Sequence, residues 1–263
     1  MKIDSPRARG DSPFMTSTMP RRGLPLIVAV GLFVVIVGII GEMIAAFGYR
    51  FAVWNLSIAF RLLDFGAIVA AVGGVISLLA ALATRPGTHR RGFGLSILGV
   101  ILAIVAFGSV IRWRAAAKNA PPIHDISTDL QNPPQFVAIL PLRATAPNSA
   151  AWDTSVAAKQ RSGYPNIQPV TLPVPPGAAF HIALAAARDM GWAIVAADSS
   201  AGRIEATATS TWFGFKDDIV VRIGPDTKGS RVDVRSESRV GQSDSGSNAA
   251  RIQSFEQRLT ARV

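Results

Sequence analysis

The residues of this chain best suited to chemistry lie in two stretches near its carboxy-terminal end. In WFGFKDD, the aromatic side chains Trp212, Phe213 and Phe215 precede Lys216 and the adjacent carboxylates Asp217 and Asp218. Two neighbouring carboxylates suit an acid pair or a hard cation, but a metal site needs further ligands, and no His or other acidic residue is close in sequence. Apolar bulk in a strand connection needs somewhere to be buried. The three aromatics therefore predict a plug for a sheet end, with Gly214 taking an unusual backbone angle, or else a partner or bilayer contact. In VGQSDSGSN, residues 240–248, Ser243 and Asp244 occupy a loop whose amides suit an anion, yet the Gly-Lys-Ser ending of a phosphate loop is missing. Nor is there a Gly-x-Ser-x-Gly nucleophile elbow. The chain has no Cys, and His89, His124 and His181 stand far apart, so thiol and zinc schemes lack ligands at a recognisable spacing. No catalytic residue, metal site or cofactor is expected.

These residues are positioned by strands. From Arg231 to Arg239 the charges Arg231, Asp233, Arg235, Glu237 and Arg239 fall on every odd position and Val232, Val234, Ser236 and Ser238 lie opposite, the period of two of a β-strand. Residues 203–211 and 218–223 alternate in the same way, and Trp192 to Ala197 reads as a short apolar strand. A helix is predicted over 178–190, opened by Pro175 and Pro176 and closed at Gly191. A second helix over 248–262 buries Ile252, Phe255 and Leu259. The expected fold is an α+β domain: a four-stranded antiparallel sheet with helices packed on one face. On the other face, alternating Arg and acid predicts solvated cross-strand ion pairs worth about 0.2–1 kcal/mol each. The alternative is that Arg203, Arg222, Arg231, Arg235 and Arg239 converge on an anionic ligand.

The amino-terminal half has another character. Uncharged apolar runs occupy 24–41, 65–84 and 92–111, that is 18, 20 and 20 residues. At about 1.5 Å per residue, roughly 20 residues span about 30 Å of hydrocarbon, so three transmembrane helices are predicted. The first run is longer than a signal-peptide core and two more follow it, which argues against cleavage. The net charge of +10 belongs to this half: residues 1–118 hold 13 Lys and Arg against 4 Asp and Glu, and residues 119–263 hold 14 against 13. A nearly neutral domain does not suit nucleic acid. Eight positive residues flank one side of the spans and five the other, so the positive-inside rule places the amino terminus in the cytoplasm and the domain outside, in the periplasm of a Gram-negative cell. Glu42 and Asp64 bound the apolar runs and are expected near the outer interface. Tyr49, Phe51, Trp54 and Phe60 fit an aromatic belt, and Gly66, Ala70 and Gly74 form a small-residue face for close helix approach. The predicted organisation is a basic cytoplasmic tail (1–23), a membrane region (24–114), a Pro-rich tether (115–135) and a soluble domain (136–263).

Several stretches resemble one family: YPNIQP (164–169), MGWAIVAAD (190–198), GRIEATATSTWFGFKDDIVVRI (202–223), SRVDVRSESRVGQSD (230–244) and NAARI (248–252). They are similar to the core of the domain of unknown function 1499, in its bacterial form with an amino-terminal membrane region. The resemblance covers about 125–260. It implies the extent of the domain but no reaction, substrate or site residue. The resulting expectation is a multi-pass inner-membrane protein that presents a non-enzymatic domain for protein or envelope contacts. A lipid- or small-anion-binding module is the alternative and an envelope hydrolase the third reading. The candidate surface is Trp212, Phe213, Phe215, Lys216, Asp217, Asp218, Arg235, Arg239, Ser243 and Asp244, with the lipid bilayer as the expected partner.

Overall fold

The computed structural model describes residues 24–88 and 90–263, so the expected basic tail lies outside the described residues. Three helices, α1 (Leu26–Arg50), α2 (Leu56–Ala83) and α3 (Phe93–Asn119), are long and apolar enough to cross a membrane. All three outrun the uncharged segments that announced them, because helical hydrogen bonding continues beyond the apolar stretch. Asn55 caps α2 by accepting from the Ile58 amide at 3.0 Å. Pro121 and Pro122 follow the end of α3.

Small residues let α1 and α2 pack closely. A Cβ on Gly38 would run into the backbone of Ala70, and one on Gly66 would sit 2.8 Å from the Glu42 amide. Gly66 and Ala70 therefore face α1 as the spacing predicts, whereas Gly74 turns towards Ala103 of α3. Glu42 and Asp64 lie inside the helices rather than at their ends. Asp64 accepts from Arg114 Nε of α3 at 2.9 Å.

The carboxy-terminal part is an α+β fold whose sheet has six strands, two more than expected. The strands are β1 (Asp125–Ser127), β2 (Val170–Leu172), β3 (Ala193–Asp198), β4 (Arg203–Thr209), β5 (Lys216–Asp226) and β6 (Gly229–Ser238). All pairings are antiparallel in the order β1-β6-β5-β4-β3, and β2 also pairs with β6. The two short strands lie end to end along β6, β1 opposite Arg235 to Glu237 and β2 opposite Ser230 to Val232. At three residues each, they are too brief to show a periodicity. The stretch expected to act as a tether thus contributes β1 to the sheet. Gln160 of α4 (Thr154–Gly163) extends that edge: its amide nitrogen donates to the Ser127 carbonyl at 2.6 Å and its oxygen accepts from the Ser127 amide at 3.0 Å.

Helices α5 (Pro176–Asp189) and α6 (Ser247–Thr260) cover one sheet face. The core between them joins Ile204, Ala206, Ile219, Val221, Val232 and Val234 to Phe180, Ile252, Phe255 and Leu259. Trp192 stacks on Phe255 with centroids 5.0 Å apart. The opposite face is covered as well. Residues 128–153 run across it as a strap with a single 3-10 turn at Leu140–Arg143, and Phe136 and Ile139 pack on Val220.

Because α1 and α2 touch through backbone at Gly38, Gly38→Leu should separate them, at a cost of about 1–3 kcal/mol. A lower midpoint of thermal aggregation for the full chain in detergent is the expected result, and an unchanged midpoint would contradict the close approach.

Candidate functional site

Alternation along β5 and β6 divides the expected site residues between the two faces of the sheet. Asp217 turns to the helical side, where its carboxylate meets Arg251 of α6 at 2.5 Å. Asp218 turns to the strap side and accepts from Arg143 Nη1 at 2.8 Å, Arg239 Nε at 2.7 Å and Thr207 Oγ1 at 2.7 Å. The adjacent carboxylates therefore form no acid pair. Burial pushes the Asp218 carboxyl up, but the hydrogen bonds from Arg239, Thr207 and Arg143 outweigh it and hold the group below the usual range.

Arg235 is fully buried. Its Nε and Nη2 donate to the two oxygens of Asp125 at 2.9 and 2.8 Å, and Nη2 also donates to the Ala150 carbonyl at 2.9 Å. The guanidinium lies 4.9 Å from the ring centroid of Phe136 and 5.4 Å from that of Trp152. Arg143, itself buried on the strap, comes within 3.0 Å of Glu237. Glu205, expected among outward-facing residues, accepts from three successive strap amides, Val137, Ala138 and Ile139, at 2.9 to 3.1 Å. At the far end, Arg222 and Arg231 are bridged by Asp129 and Asp233 at 2.9 to 3.2 Å.

Around Arg235, Glu205, Asp218 and Glu237 the charged face is thus not a solvated array: it is closed under the strap, whose Arg143 complements the sheet charges and whose Phe136 and Ile139 need burial themselves, while Arg203, Arg222 and Arg231 stay 30–42 % exposed, the last two paired with Asp129. Arg239 follows the same pattern, donating to Asp218 and to the Leu142 carbonyl at 2.9 Å. Burial, and then the charge of Asp125, raise the Glu237 carboxyl to about 8. Burial also raises Asp125, outweighing its bonds from Arg235.

Ser243 and Asp244 lie apart from this network. Ser243 Oγ donates to the Pro121 carbonyl at 3.3 Å, and Asp244 accepts from the Gly246 and Asn248 amides at 2.9 and 2.7 Å, at the start of α6. Burial raises the Asp244 carboxyl despite those amides. One cavity of about 320 Å³ is lined by Trp192, Thr209, Ser247, Arg251 and Ser254, and another of about 220 Å³ by Gln135, Val137, Arg203 and Arg222. Neither gathers the residues of the candidate surface, though the second brings together Arg203 and Arg222 of the five sheet arginines.

The aromatic stretch does converge with another part of the chain. Phe213 stacks on Phe215 at 5.1 Å and packs against Phe60 at 5.8 Å and Tyr49 at 6.1 Å, joining the cluster of Ala45, Leu63, Ala67 and Val110 at the end of the helical bundle. Trp212 meets Phe47 edge-on at 6.0 Å. Arg50, the last residue of α1, donates to the Ser210 carbonyl at 3.3 Å and to that of Thr211. Gly214 has φ +69°, and a Cβ there would sit 2.9 Å from Arg50 Cγ. Lys216, at the start of β5, is exposed and its carbonyl accepts from the Arg239 amide at 3.0 Å. Sequence reading did not assign Arg50, Asp125, Arg143 or Glu205 to these contacts. The available signal was the apolar run Val137 to Leu140, which a purely soluble-facing segment has no reason to carry.

Residues 125–259 match the family described as protein of unknown function (DUF1499). No curated protein matches the chain.

Removing the Arg235 guanidinium leaves Asp125 buried without its ion-pair partner and Glu237 with Arg143 alone, so Arg235→Ala should cost about 3–5 kcal/mol. Urea unfolding of the full chain in detergent checks this, and a loss near that of an exposed ion pair would contradict the closed face.

The pH dependence has a defined sign. Glu256 on α6 has a buried carboxyl oxygen without a partner among the described residues, and burial raises the group to about 7. Glu237 and Glu256 therefore hold protons in the folded chain that the unfolded chain releases above about 4.5. The stability this confers is fully present below pH 4.5 and is lost as pH rises towards 7–8. Thermal midpoints should fall across that window, and Glu256→Gln should flatten the fall; an equal slope in the variant would show that Glu256 does not titrate there.

Proposed function

The chain belongs to the DUF1499 family, and from that premise we propose that it is a multi-pass inner-membrane protein whose α+β domain stands outside the cytoplasm and works through contacts rather than catalysis. The observation that carries this reading is the closure of the charged face. Asp125, Asp218, Glu205 and Glu237 all have their carboxyl groups turned inward onto strap amides or arginines. Groups held in this way suit a scaffold, since a nucleophile or general base must reach a substrate. The same closure weighs against a ligand held by Arg235 or Arg239. It also leaves the envelope hydrolase without a carboxylate turned towards Ser243.

The bundle supports the membrane half of the proposal. Large apolar side chains such as Phe33, Phe65, Leu79 and Ile104 are exposed along the helices, as lipid-facing residues would be. The orientation rests on the positive flanking residues. For the contact surface, β3 is the natural candidate: among the described residues no strand pairs with its outer edge, and Val195 is exposed there.

The absence of Cys makes the test direct. A Ser200→Cys chain in spheroplasts should react with an impermeant maleimide without lysis; reaction only after lysis would invert the topology. A photo-crosslinking residue at Val195 should give a discrete protein adduct in native membranes, and a diffuse smear or no adduct would argue against the contact role.

A further inference from the structure

The aromatic loop between β4 and β5 has two sides, and the bundle accounts for only one. Phe213 and Phe215 face inward onto Phe60 and Tyr49. Trp212 stands beside Phe47 and keeps 56 % of its surface exposed. Around it the turn joining α1 to α2 exposes Phe51 by 71 % and Val53 by 69 %, and Phe51 stacks on Phe47 at 6.2 Å. Trp212 and Phe51 thus flank Phe47, and with Val53 in the same turn as Phe51 they make an apolar collar shared by the domain and the end of the bundle. The same end of the sheet carries another exposed apolar residue: Leu142, whose carbonyl binds Arg239, next to the start of β5.

The height of this collar follows from the helix. The stretch of α1 from Leu26 to Ile44, apolar except for Glu42 close to its end, rises about 28 Å at about 1.5 Å per residue, close to the thickness of a hydrocarbon core of about 30 Å. Phe47 then lies about one turn beyond, within a headgroup layer of roughly 5–7 Å on each side. Trp212 is set at the same level by its contact with Phe47. That is where the amphipathic indole ring is favoured, its apolar body among the upper acyl chains and its N–H towards water. Arg61 and Arg112 are exposed near this end of the bundle, as cations facing lipid phosphates would be.

We infer that the β4–β5 loop is a bilayer-interface anchor, in which Trp212 with Phe51 and Val53 enters the phospholipid headgroup layer and holds the domain against the membrane surface. The inference rests on α1 to α3 spanning the bilayer and is continuous with that interface. A domain carried on a free tether would leave Trp212 in water.

The test uses the full chain in nanodiscs of phosphatidylethanolamine and phosphatidylglycerol, nitroxide-labelled at single cysteines, with collision rates to oxygen and to a water-soluble nickel chelate measured by power saturation. Labels replace Trp212 in one variant and Thr211 in another, the latter keeping the indole. Leu79→Cys, exposed on α2, reports the hydrocarbon, and Ser200→Cys, exposed in the turn between β3 and β4, reports water. The expected result is an oxygen-to-nickel ratio at 211 and 212 several-fold above that at 200 and below that at 79. Equal ratios at 211, 212 and 200, with 79 still in hydrocarbon, would overturn the anchor and leave the spans intact. Labels at 211 and 212 shielded from both reagents would show a protein covering the loop and overturn it as well. A water-like ratio at 79 would remove the spanning helices and the anchor together.

Discussion

A guanidinium with no access to water organises the carboxy-terminal half of this protein. Arg235 must be matched by carboxylate and carbonyl oxygens wherever it lies, because an unmatched buried charge costs several kcal/mol. Its partners come from separate places: Asp125 from β1, Ala150 from the strap and Glu237 from its own strand. The charge is therefore satisfied only when β1, strap and sheet are all in place. Asp218 repeats this logic with Arg143 and Arg239, and Glu205 does so with three strap amides. Ion pairs of this kind add little net stability but impose one arrangement, since any slip of the strap strands a charge in a low-dielectric space.

The strap explains the division of labour between the two sheet faces. Helices α5 and α6 bury an ordinary apolar face, which tolerates exchange among side chains of similar volume. The strap buries a face of alternating charge, where each position has a designated partner. This second layer has almost no regular structure, so its backbone groups need other partners; Glu205 supplies one carboxylate for three of them. The domain is joined to the bundle by a third kind of contact. Phe213 enters the helix-end cluster and Arg50 holds the loop by its carbonyls. The proposed headgroup contact of Trp212 continues that junction outward into lipid.

Regular elements were legible where their period extended far enough. The three spans, α5, α6 and strands β3 to β6 follow from runs of six residues or more. Strands β1 and β2 were not legible, because three residues cannot display a period of two. The strap was obscured by its prolines: Pro133 and Pro134 suggest an extended linker, while Phe136, Ile139 and Arg143 next to them are buried. In the candidate site, Trp212, Phe213 and Phe215 suggest a plug for the sheet end or a partner or bilayer contact, whereas Phe213 packs on the end of the helical bundle, a segment about 150 residues away that no local pattern names. The sequence places Asp217 and Asp218 on one candidate surface, but adjacent residues of a strand point to opposite faces.

The sequence by itself determined that three helices suit a membrane, that an α+β domain follows, and that the charges of β6 share one face. Each of these depends on local spacing or on composition, which are properties of short segments. Only the tertiary structure decided what lies over that charged face and what receives the aromatic loop. Both answers depend on residues far apart in the chain, Asp125 with Arg235 and Arg50 with Thr211. Alternating charge is equally consistent with a surface bathed in water and with one matched by a second layer. Which holds is set by whether a distant segment brings the complementary charges, and no periodicity within the strand records that.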